Sequence, residues 1–145
     1  MARRRLPINS VFLDSSVLFT AVNSPAGGSS KLFTLKNIKL VSSVVVLAEV
    51  ERNVRKKLQS YHLERFFLLV SKIDITSQIP NDRLVTQAQK VIAKKDALIL
   101  AEAKQAKTHF LVTLDRKHFL IKSVAKFLKP QKVLTPKMFF KILKD

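Results

Sequence analysis

Four acidic residues occupy positions where an α/β protein gathers its chemistry. Asp14 follows the apolar run Val11-Phe12-Leu13, and Asp115 follows Phe110-Leu111-Val112-Thr113-Leu114, so each stands at the carboxyl end of a strand-like segment. Asp96 begins the helical stretch that leads into the Asp115 strand, and Glu49 lies about one turn into the helix after a strand at Lys39–Ser42. Taken alone, Asp96 reads equally as a helix N-cap, and Glu49 as a solvated face residue. Together the four fall at or near one edge of the sheet. Carboxylates gathered there repel one another, so either some are protonated at neutral pH or divalent cations neutralise them. Hard oxygen donors suit Mg²⁺ or Mn²⁺. Such ions turn bound water into a nucleophile and stabilise the attacking and leaving oxygens of a phosphodiester.

The elements that must position these acids follow from periodicity. Ile8–Leu13 reads as a buried strand, and Ser15 or Ser16 can cap a helix running to Val22. Ser24-Pro25-Ala26-Gly27-Gly28-Ser29-Ser30 reads as a loop, followed by a helical stretch at Lys31–Asn37. After the Lys39–Ser42 strand, a helix at Val44–Gln59 carries the stripe Leu47, Val50, Val54, Leu58. Further helices are expected at His62–Val70, Asp82–Ala93 and from Asp96 through the Ala-rich segment, with a terminal helix opened by Pro136. Strands are expected at Lys72–Thr76, His109–Leu114 and Lys132–Thr135. Strands alternating with helices imply an α/β fold: a three-layer α/β/α sandwich around a mainly parallel sheet of four or five strands. In such sheets ligands sit outside the carboxyl ends of the strands.

Composition bounds the function. The 145 residues make one domain spanning 1–145, with a basic arm at 1–9 whose Arg3-Arg4-Arg5 reads as an electrostatic tether. A chain of this size buries roughly 70% of its unfolded surface, and its 47% apolar content supports a core. With no cysteine, a disulfide framework, a thiolate zinc site and a thiol nucleophile are excluded. The N-terminal MARRRLPINS and the apolar stretch behind it, interrupted by Asp14, are not expected to form a signal core or a membrane span. Lys and Arg number 27 against 10 Asp and Glu, a net charge of +17 that seeks polyanions, nucleic acid above all. A basic surface around an acidic, metal-binding pit is the arrangement of a nuclease.

At this point the chain resembles the PIN-domain ribonucleases, from about Ser10 to the terminal helix. Val11-Phe12-Leu13-Asp14-Ser15-Ser16-Val17-Leu18 is similar to the family's opening motif, and Leu40-Val41-Ser42-Ser43 with Leu47-Ala48-Glu49-Val50 to its second. Lys95 to Ala103 resembles the third, and Phe110-Leu111-Val112-Thr113-Leu114-Asp115-Arg116 the fourth. The resemblance implies a cytoplasmic endoribonuclease that cuts single-stranded RNA with metal-activated water. It places Asp14, Glu49, Asp96 and Asp115 as catalytic and Mg²⁺- or Mn²⁺-binding residues, with Ser15 and Thr113 as hydroxyl support. The Ser-Pro-Ala-Gly-Gly-Ser-Ser loop is similar to toxin components of type II toxin–antitoxin pairs, which implies a cognate antitoxin and a homodimer or higher homo-oligomer. Many of those relatives carry Thr-Asn where this chain has Ser15-Ser16.

Rival readings are weaker. The segment GGSSK fails the phosphate-loop spacing because Ser30, not Gly, precedes Lys31. His62, His109 and His118 include no i, i+4 pair, which argues against zinc; His118, just after Asp115-Arg116-Lys117, reads as a surface residue within reach of substrate. No serine sits in a G-x-S-x-G turn. Arg52 and Arg116 are the basic residues best placed to grip substrate phosphates, against the plainer reading of a solvated face. Phe66 and Phe67 read as core or partner packing rather than base stacking. Two alternatives to the ribonuclease stay open: a catalytically inactive PIN-like RNA-binding or interaction module, and a metal-dependent DNA nuclease.

Overall fold

The computed structural model describes residues 9–144; Arg3, Arg4 and Arg5 of the expected arm lie outside the described residues. Five strands, β1 (Asn9–Leu13), β2 (Ile38–Ser43), β3 (Asp74–Thr76), β4 (Phe110–Val112) and β5 (Lys132–Leu134), form one sheet in the order β3-β2-β1-β4-β5. All four pairings are parallel. The central strand explains its own sequence: with neighbours on both sides and helices on both faces, Val11, Phe12 and Leu13 are all fully buried, so the run is continuous rather than alternating. The outer strand β3 is mostly exposed and carries an exposed ion pair, Asp74 to Lys39 at 3.1 Å.

Helices α1 (Ser15–Asn23), α2 (Gly28–Lys31), α3 (Val44–Lys57) and α4 (His62–Val70) pack against one another, and α5 (Asp82–Gln89) packs on α6 (Lys94–Ala106). The chain steps outward from β1 through β2 to β3, then crosses back over the sheet to β4. Right-handed crossovers therefore place the first group of helices on one face and α5, α6 and α7 (Lys122–Leu128) on the other. The terminal α8 (Pro136–Lys144) is anchored by Phe139, fully buried and set edge-to-face on Phe110 with centroids 5.3 Å apart. Strand order reverses at β1, and this switch point opens a crevice at the carboxyl ends of β1, β2 and β4.

Several expectations are corrected. Asp14 itself caps α1, accepting from the Val17 amide, so Ser15 and Ser16 become its first helical residues rather than its cap. Ala93 occupies the N-cap of α6, which leaves Asp96 in the first turn without a capping role. On α3 the buried stripe is Val46, Val50 and Val54; Leu47 and Leu58 pack only at its margin, since the helix stops at Lys57. The second half of the expected loop at Ser24–Ser30 is the start of α2, and the expected helix at Lys31–Asn37 is reduced to the end of that turn and a 3-10 turn at Leu32–Thr34. Helix α7 falls in a stretch where none was expected.

Candidate active site

Strand register brings the acids together. Leu13 pairs with Val112, so the residues that follow, Asp14 and Thr113, emerge side by side beyond the sheet. Asp14 is buried, and each of its oxygens is engaged: Oδ1 accepts from the Ser16 hydroxyl at 2.7 Å and the Val17 amide at 3.1 Å, and Oδ2 from the Thr113 hydroxyl at 2.5 Å. Thr113 Oγ1 in turn accepts from the Asp115 amide at 3.0 Å, and Ser16 Oγ from the Leu114 amide at 3.0 Å. These bonds fasten the start of α1 to the loop after β4. Ser15 donates to Glu49 Oε2 at 2.9 Å, joining α1 to α3. Ser42 closes the remaining gap, donating to the Leu13 carbonyl at 2.9 Å.

Asp14, Glu49, Asp96 and Asp115 all line one open pocket of about 220 Å³, together with Ser15, Asn53 and Lys95. Asp96 Oδ2 is buried and has no hydrogen-bond partner. Burial, against the pull of three hydrogen bonds, pushes the Asp14 carboxyl up to about 6, and the Asp115 charge adds to the rise. Asp96 is raised too, first by desolvation and then by Asp115 and Glu49, while Lys95 and His118 oppose the shift. The site thus holds carboxylates under mutual repulsion, with one buried oxygen, Asp96 Oδ2, unpaired.

The loop after β4 adds His118, which reads in the sequence as a surface residue within reach of substrate rather than as a metal ligand. Its amide donates to Asp115 Oδ1 at 3.0 Å, and His118 Nδ1 lies 3.1 and 3.0 Å from the two Asp115 oxygens. One potential ligand atom from each of Asp96, Asp115 and His118 falls within 4.8 Å of the others. Arg52 and Arg116, by contrast, are exposed and stand outside the pocket wall; Asn53 and Lys95 occupy the wall instead. Asn53 and Lys95 carry no signal in the sequence beyond their adjacency to Arg52 and Asp96. Ser43, at the end of β2, turns away from the pocket: it caps α3 through the Val46 amide and donates to the buried Glu102 at 2.8 Å.

The donor set is one of hard carboxylate oxygens, and the buried, unpartnered Asp96 Oδ2 is what a cation would satisfy, so these residues fit a divalent metal.

Comparison with known proteins bears on the family and the fold. The PIN domain model matches residues 11–126. The fold is similar to that of VapBC2 from Rickettsia felis, solved bound to a DNA fragment from their promoter, with a TM-score of 0.65 and 20% identity over 86% of this chain and 96% of that one. It is similar to PAE2754 from Pyrobaculum aerophilum, with a TM-score of 0.65 and 13% identity over 95% and 98% of the two chains. It is also similar to FitAcB from Neisseria gonorrhoeae, with a TM-score of 0.57 and 22% identity over 88% and 98%. No curated protein matches the sequence.

Proposed function

Because the chain belongs to the PIN-domain family, we propose that it is a Mg²⁺- or Mn²⁺-dependent endoribonuclease cutting single-stranded RNA, and that it serves as the toxin of a toxin–antitoxin pair. The observation that carries the catalytic reading is the convergence of Asp14, Glu49, Asp96 and Asp115 on one pocket with Asp96 Oδ2 left unpaired. Asp96, Asp115, Glu49 and Asp14 would hold the ion. When bound, it activates water and offsets charge on the phosphodiester. The chain's own residues do the rest. Ser16, Thr113 and the Val17 amide fix the orientation of Asp14, and Ser15 that of Glu49. Lys95, at the pocket wall, faces the phosphate being cut. Arg52 and Arg116, outside the wall, hold flanking phosphates, where a backbone approaching the pocket would pass. Similarity to the folds of VapBC2 and FitAcB supports the toxin role and, with it, an antitoxin partner; a cytoplasmic setting and a homo-oligomer belong to the same reading.

The test is cleavage of single-stranded RNA and single-stranded DNA by the purified chain, with Mn²⁺, with chelator, and as the Asp14→Asn/Asp96→Asn variant. RNA should be cut only with the ion and only by the wild type. Cleavage that survives the chelator or the variant overturns the metal mechanism. Cleavage of DNA alone identifies a DNA nuclease, and salt-sensitive binding of both without cleavage identifies a binding module.

A further inference from the structure

We infer that His118 is itself a ligand of the divalent ion, which makes the site a mixed nitrogen–oxygen centre that selects first-row transition ions over Mg²⁺. This rests on the metal-dependent reading above. The turn Asp115-Arg116-Lys117-His118-Phe119 leaves the imidazole little freedom. Phe119 is buried in the core, and the Phe119 and Leu120 amides both donate to the Asp115 carbonyl, at 3.0 and 3.2 Å. The His118 amide holds Asp115 Oδ1, so backbone and side chain of one turn lay the ring over the carboxylate.

Nδ1 then stands 3.1 and 3.0 Å from the two carboxylate oxygens, nearly equidistant. A single N–H···O bond would aim at one oxygen. Adjacent donors on an octahedral ion with bonds of about 2.1 Å are themselves about 3.0 Å apart, so this hydrogen-bonded pair already has the spacing that two corners of a coordination shell require. Asp96 supplies the third corner, within 4.8 Å of both. No N–H of His118 reaches Asp96 Oδ2, which stays without a donor; a cation between the three groups relieves it, whereas the imidazole alone does not. Imidazole nitrogen is a poor donor for Mg²⁺ and a good one for first-row transition ions.

The deciding experiment loads the full-length chain with Mn²⁺ and records pulsed electron paramagnetic resonance, with Mn²⁺ and Mg²⁺ affinities measured in parallel. The wild type should show the strong nitrogen coupling of a directly bound imidazole. His118→Gln should lose that coupling and about tenfold or more in Mn²⁺ affinity, with Mg²⁺ affinity changed by less than about threefold. His118→Asp should regain binding with its preference moved toward Mg²⁺. Should either variant fail to fold, the wild-type spectrum decides alone. Bound Mn²⁺ without nitrogen coupling overturns the proposal while leaving the metal-dependent nuclease intact; no Mn²⁺ binding overturns both.

Discussion

Asp14 has a buried carboxyl pushed up to about 6 from its ordinary 3.8, chiefly by desolvation. Raised in the fold, this group binds its proton more tightly folded than unfolded, so its contribution to stability is complete below about pH 3.8 and lost as pH rises through about 6. The shift corresponds to roughly 3 kcal/mol. Asp14→Asn keeps an oxygen for the Val17 cap and removes the titration. The metal-free wild type should therefore lose most of this, roughly 2.4 kcal/mol, relative to this variant between pH 4 and pH 7, read by urea denaturation at each pH. A constant gap would show that the burial is tolerated without cost. Mn²⁺ at about a hundred times its Kd should restore roughly 2.7 kcal/mol to the wild type and little to the variant. The same residue shows what was legible. Asp14 and Asp115 announce themselves by ending apolar runs, whereas Asn53, Lys95 and His118 do not, because their place depends on which faces α3, α6 and the β4 loop turn to the crevice.

Among the elements, those with several apolar positions are legible in the sequence, and so are the three-residue strands β3 and β5, whereas the shortest helices are not. His62–Val70 matches α4 residue for residue, and β1, β2 and α3 agree within a few residues. Helix α7 has seven residues and buries only Val124 and Leu128, and α2 is a single turn whose buried residues are Ser29 and Ser30, so neither carries an apolar period to detect. Around α2, polar bonds replace apolar ones: Arg65 of α4 donates to the Ala21 carbonyl and to the Ser30 hydroxyl, at 3.0 and 2.9 Å. Two elements invite direct tests. Phe139 fastens α8 to the sheet, and Phe139→Ala should cost about 3–5 kcal/mol. Ile142, 41% exposed on the same helix, should tolerate alanine within about 1 kcal/mol. Equal losses in denaturation would mean that α8 is held by its whole face rather than by one ring. At the end of α6, Lys107 adopts a left-handed conformation with φ of 53°. Lys107→Gly should raise stability by about 0.5–1 kcal/mol, since glycine takes that conformation without the Cβ clash; a loss would show that the lysine stem packs there.

At the scale of the molecule, the net +17 separates into two regions. Four of the ten acids and one of the 27 bases, Lys95, line the pocket, which leaves six acids against 26 bases on the rest of the chain. Of the lysines and arginines among the described residues only Lys39 and Arg55 pair with carboxylates, both on the exposed surface, so most of these side chains are free to meet phosphates. A strand drawn to such a surface meets its one concentrated negative charge at the pocket, and that is where an ion is needed before a phosphate can settle. Binding and cutting should therefore come apart. In chelator, affinity for single-stranded RNA should fall steeply with salt, with a log–log slope of about −0.7 for each phosphate neutralised, or about −4 for six contacts. Arg52→Ala and Arg116→Ala should each flatten that slope by about 0.7. Asp14→Asn/Asp96→Asn should bind at least as tightly as the wild type, because it removes repulsion and no cation. Filter binding across a salt series checks all three. A flat series, or variants of Arg52 and Arg116 that leave the slope unchanged, would mean that the basic exterior does not hold the substrate.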